Sequence, residues 1–132
     1  MVMLMDSVKT ISKHNRSRIS KMLIMLFEHW NLSAKDQLGL LGVSKNNRSP
    51  LQRYRRGGPL TNDRDKLDRV AILLSIHKSL RLLFPHNRNL VYSWMTTPNR
   101  AFNERTPTKL IDEQGMMGLY IVQNYLNRQI GR

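Results

Sequence analysis

Val43-Ser44-Lys45-Asn46-Asn47-Arg48-Ser49-Pro50-Leu51-Gln52-Arg53-Tyr54-Arg55-Arg56-Gly57 is the stretch whose reading decides the fold. It carries five cations and no carboxylate, and it lies between two glycines, Gly42 and Gly57, placed as helix stops. Ser49 followed by Pro50 signals a helix start. The serine oxygen can accept an orphan amide hydrogen bond, and proline at the first helical position gives up no needed donor. The helix should run to about Arg56, with Leu51 and Tyr54 three apart on one face and the polar side chains elsewhere. Ser44, Lys45, Asn46, Asn47, Arg48, Ser49, Gln52, Arg53, Arg55 and Arg56 are therefore the candidate DNA-binding residues. The cations suit phosphates or guanine edges, and the amides suit adenine edges.

Upstream, Ser33 opens a helix with Asp36 three residues on, Leu38 and Leu41 supply its apolar face, and Gly42 closes it. A two-turn helix, a glycine, Val43 and then a basic helix outline a helix-turn-helix, whose second helix enters the major groove. The connection is longer than usual, so Ser44 to Arg48 should form an extended turn. Earlier still, Ile19, Met22, Leu23, Leu26, Phe27 and Trp30 follow the rhythm of an amphipathic core helix. Arg16, Arg18 and Lys21 would sit near its start, where the helix dipole disfavours cations unless an anion is close, a hint of phosphate. Residues 1–16 read as a flexible leader, and 17–80 as the helix-turn-helix domain.

Downstream of Gly57-Gly58-Pro59, Asp63 and Asp65 mark the first turn of a helix whose buried stripe is Leu67, Val70, Ala71 and Leu74. It should brace the basic helix from behind. Ser75 to Lys78 would interrupt it before Leu80, Leu83 and Phe84 resume the pattern and Pro85 stops it. Residues 81–132 form a smaller helical unit. Leu90, Val91 and Trp94 share one side of a short helix, Thr97-Pro98-Asn99 makes a turn, and Phe102 is an anchor in the loop. Thr106-Pro107 repeats the cap-plus-proline start, and a last helix from about Gln114 buries Leu119, Val122 and Leu126.

Composition narrows the class. Among 132 residues, 22 Lys plus Arg stand against 9 Asp plus Glu, a net charge of +13, so a polyanion partner is the first expectation. No apolar run approaches the roughly 20 residues of a membrane span. The methionine-rich start lacks the features of a signal peptide, which leads us to expect a cytoplasmic protein without membrane attachment. With no cysteine, disulfides, thiolate catalysis and cysteine-ligated zinc fall away. His14, His29, His77 and His86 are scattered with no paired metal-ligand spacing, and Asp63, Asp65 and Asp68 are explained by capping and ion pairs. Phe27, Trp30, Phe84 and Trp94 read as core. The expectation is a non-enzyme without cofactor or metal.

These residues together resemble the Xre/MbcA/ParS-type antitoxins of RES-Xre toxin-antitoxin systems. Leu40 to Ser44, Leu51 to Gly57, Arg64 to Val70 and Ile76 to Asn87 carry the resemblance to the Xre-like half and its junction. Trp94 to Phe102 followed by Thr106-Pro107 carries the more specific resemblance to the toxin-binding half. The resemblance implies an all-α fold, an Xre-like helix-turn-helix bundle followed by a small helical toxin-binding unit. It also implies an antitoxin that neutralises an NAD-degrading RES-domain toxin and, as a homodimer within a larger complex, represses its own operon at double-stranded operator DNA. By the same resemblance Tyr125, Arg128, Gln129 and Arg132 of the last helix and tail are the expected toxin contacts. The rival readings are a stand-alone helix-turn-helix transcriptional regulator without a toxin, and a basic RNA-binding or structural protein.

Overall fold

The computed structural model describes residues 11–131, which form seven α-helices and two 3-10 turns. The helices are α1 (Lys13–His29), α2 (Ala34–Leu41), α3 (Ser49–Arg55), α4 (Arg64–Leu83), α5 (Arg88–Ser93), α6 (Pro107–Gln114) and α7 (Met116–Ile130). The 3-10 turns Trp94–Thr96 and Arg100–Phe102 lie between α5 and α6. The fold is all-α. Residues 1–10 of the expected leader and Arg132 lie outside the described residues; residues 13–16 belong to α1, with Ser12 as its cap, rather than to a leader.

Local chemistry sets the helix starts. The hydroxyls of Ser12, Ser33 and Thr106 and the side-chain oxygens of Asp63, Asn87 and Asn99 accept amide hydrogen bonds from the first turns they precede. Ser49 is a correction. It is already helical, Arg48 stands at the cap position without a side-chain bond, and the Asn47 side-chain oxygen accepts from the Ser49 amide instead. The Asn47 Asx turn reaches the orphan amide first, so the Ser49 hydroxyl is not the cap. Gly42 ends α2 at φ 70°, and a Cβ there would come within 2.5 Å of the Arg69 guanidinium carbon, so glycine answers both needs.

Three long helices run in the same direction. Arg16 and Ser20 in α1 donate to the carbonyls of Leu60 and Gly58 just ahead of α4, while Trp30 beyond the end of α1 reaches His77 late in α4. Likewise Gly115, at the start of α7, adjoins Arg69, and Gln123 bonds Ser79. α2 and α6 close the bundle, with Gly39 packed against the Asp112 carboxylate, which would have to shift to admit a Cβ there. The core is continuous through Leu23, Phe27, Trp30, Leu38, Leu51, Leu73, Ile76, Ile111 and Val122.

The packing changes three expectations. Met22 is 55% exposed, and Ile24 with Ser20 takes the inner side of α1. α4 is continuous through Ser75 to Lys78, because Ile76 keeps the stripe of Val70, Leu73 and Leu80 intact on one face while Ala71 turns outward. α3 rests chiefly on α1 rather than on α4. The expected domain boundary between residues 80 and 81 thus falls inside one unbroken helix.

Candidate functional site

The two ends of the bundle carry different chemistry. At one end, α3 is seated by Leu51 and Tyr54, both buried, and the Tyr54 hydroxyl is 3.2 Å from that of Thr61. Ser44, Lys45, Asn46, Asn47, Arg48, Ser49, Gln52, Arg53, Arg55 and Arg56 are all exposed on this end. Among the described residues, none of Arg48, Arg53, Arg55 and Arg56 pairs with a carboxylate. Lys45 differs. Its Nζ lies 2.6 Å from Asp112 Oδ2 on α6, so it fastens the turn to the C-terminal half. The amide oxygen of Asn47 and the hydroxyl of Ser44 also hold local turns, accepting from Ser49 and Asn46. These three are partly committed to shaping the loop, whereas among the described residues the arginine and Gln52 side chains make no such bonds.

Lys21 joins this surface, since its side chain lies beside Gly57 at the end of α3. Arg16 does not. Its guanidinium donates to the carbonyls of Leu60 and Ile11, so this one of the three cations read as a hint of phosphate ties α1 to the segment after α3. The outward helix spacing of Lys21 was readable in sequence, but its neighbour across the fold was not.

At the other end, the last helix brings Tyr125 onto Trp94, with ring centroids 6.2 Å apart, and edge-on to Phe102 at 5.3 Å. Tyr125 therefore packs the unit as well as lying at its surface. Arg128 is exposed and Gln129 partly so, both near the α7 terminus. Arg132 lies outside the described residues.

Sequence reasoning missed two features here. His29, Tyr92 and His77 stack in that order, with centroid spacings of 4.6 and 5.8 Å, joining α1, α5 and α4. Burial, then the nearby Arg81 and His29 charges, lower the His77 pKa from its ordinary 6.5. Beside the stack, a groove of about 720 Å³ opens between the end of α4 and α5. Lys78 and Arg81, three apart on α4, were the available signal for it. Among the described residues, no cluster of His, Asp or Glu could hold a metal ion, and no helix is long and apolar enough to cross a membrane.

The described residues thus form an all-helical bundle with an exposed basic helix, α3, at one end and a compact aromatic-pinned helical unit at the other. Residues 79–131 match the family described as the antitoxin Xre/MbcA/ParS C-terminal toxin-binding domain. The protein y4oB of Sinorhizobium fredii (strain NBRC 101917 / NGR234), described as uncharacterized, is 32% identical over 104 residues, covering 79% of this chain and 78% of that protein. Residues 79–131 thus carry an Xre/MbcA/ParS-type C-terminal toxin-binding domain.

Proposed function

We propose that the protein is the antitoxin of a RES-Xre system: its C-terminal unit binds and neutralises an NAD-degrading RES-domain toxin, and α3 with its preceding turn binds operator DNA. The domain match over residues 79–131 supports the toxin partner and a non-enzymatic, regulatory role. The observation that carries the DNA arm is the exposed, carboxylate-free row of Arg48, Arg53, Arg55 and Arg56 on a helix held from below by Leu51 and Tyr54. A convex helix of this kind fits a major groove, where arginines reach guanine edges or phosphates and Gln52 reaches adenine. Two copies reading two half-sites would make the operator-bound form a dimer, acting in the cytoplasm where the operon lies.

Counting Lys21 with the four arginines, log affinity should fall against log salt with a slope of roughly −4 to −5 per protomer. The decisive experiment is the double variant Arg53→Ala and Arg56→Ala, assayed for operator binding and for protection of cellular NAD against the co-expressed toxin. Operator binding should vanish while NAD protection persists. Loss of both activities in a folded double variant would overturn the two-ended reading, and selective RNA binding at matched salt would overturn the DNA arm.

A further inference from the structure

We propose that the groove between the end of α4 and α5 seats an acidic segment of the toxin, anchored by an apolar side chain; this rests on the toxin-antitoxin reading above. The groove is walled by Lys78, Arg81 and Arg88 and floored by Phe84, Pro85 and Tyr92, and among the described residues no carboxylate lines it. Three cations gathered around one concavity repel one another until an anion enters. Arginine beside aromatic rings is also the composition that dominates protein-protein binding energy.

Three further observations fix the occupant. First, the floor is braced: the Tyr92 ring lies nearly parallel to His29 at 4.6 Å and to His77 at 5.8 Å, so two neighbouring rings hold its position. A fixed wall lowers the ordering cost of binding. Second, the surroundings offer apolar contact. Leu82, 61% exposed, belongs to the lining, and Ile130, 41% exposed, ends α7, which runs alongside α4 in the same direction. The groove and the α7 terminus therefore face the same end of the bundle, within or one residue ahead of the matched region 79–131. Third, the charge excludes a second copy of this chain, because a protein of net charge +13 would bring more cations to a cationic groove. Duplex DNA is a poor fit for the concavity, and the helix suited to it lies at the opposite end of α4.

The test uses the full chain co-expressed with the protein encoded in the adjacent reading frame, with the Kd of the purified pair measured by calorimetry. The variant Arg81→Glu with Arg88→Glu should weaken binding by about thirtyfold or more. Leu82→Asp, at an exposed position that folding tolerates, should weaken it as well. Lys35→Glu with Arg64→Glu changes the net charge equally at sites away from the groove and should leave the Kd unchanged. Thermal melts establish that each variant is folded. If the wild type binds and neither groove variant weakens it, the groove assignment is overturned and the toxin reading stands. A loss as large in the Lys35→Glu and Arg64→Glu control would mean that net charge and not the groove attracts the partner. A groove variant that loses operator binding and keeps the partner would reassign the groove to DNA. A wild-type chain that binds no product of the adjacent frame overturns the toxin reading and the groove together.

Discussion

The α3 end and the α5 end both gather cations, but they present them in opposite shapes. At α3 the arginines stand on a convex helix of two turns whose apolar seat is Leu51 and Tyr54. At α5 the cations surround a concave floor backed by stacked rings, and the neighbouring Trp94, Phe102 and Tyr125 lock the unit from within. The difference teaches that charge alone does not specify a partner here. Convex, solvated cations on a lightly anchored helix suit a long polyanion that supplies many weak, salt-sensitive contacts. Cations around a rigid apolar floor suit one acidic segment bound by shape as well as charge.

The sharpest way to break the comparison is to unseat one end and watch the other. Trp94→Ala removes a side chain only 9% exposed that meets both Phe102 and Tyr125, and it should destabilise the fold by about 3–5 kcal/mol in urea titration. Partner binding should fail with it. Leu51→Ala should cost somewhat less, about 2–4 kcal/mol, because the short helix above it can collapse or detach locally. Hydrogen exchange should then rise in α3 and its flanking turns while α6 and α7 keep their protection. If Leu51→Ala instead loosens α7 as much as α3, the ends are one cooperative unit and the contrast in anchoring is wrong.

Much of this architecture was legible because it is local. The spacing of Leu23, Leu26, Phe27 and Trp30 announced α1, Thr106-Pro107 announced α6, and Leu119, Val122 and Leu126 announced the buried side of α7. Errors arose where two local signals competed. Asn47 lies two residues before Ser49 and takes its amide, which a cap rule centred on Ser49-Pro50 does not foresee. The polar run at Ser75 to Lys78 hid the single residue, Ile76, that carries the stripe through. The features least legible are those assembled from distant chain. The groove needs α4 and α5 to meet across Pro85, the histidine stack needs three helices, and Lys45 finds Asp112 67 residues away.

That last contact is the one direct ion pair between the turn before α3 and the C-terminal helices among the described residues. Both side chains are partly exposed, so Lys45→Ala should cost only about 0–1 kcal/mol of stability. Its informative effect is on the loop. With the tether gone, operator affinity should drop by more than loss of one phosphate contact explains, while the salt slope changes by about one unit or less. Asp112→Asn leaves Lys45 charged but untethered, and separates the two roles. If Asp112→Asn binds operator as wild type does, Lys45 acts on DNA directly and the two ends are not joined through this pair.

The smallest effect expected is acid sensitivity at the α5 end. His77 faces Trp30, Tyr92, His29 and Arg81, and burial first, then the nearby Arg81 and His29, hold its pKa below the ordinary 6.5. Between that lowered value and 6.5 the unfolded chain binds more protons at this position than the folded chain does. Stability from His77 is therefore complete above pH 6.5, falls as the pH drops through this window, and falls no further below the folded pKa. Replacing His77 with glutamine should flatten the melting temperature between about pH 7 and about pH 5 relative to wild type. Because the stack backs the groove floor, acid should weaken partner binding in the wild type more than in His77→Gln, and it should spare the α3 end. An equal acid loss in both proteins would trace the sensitivity to the general positive charge, leaving the stack as packing alone.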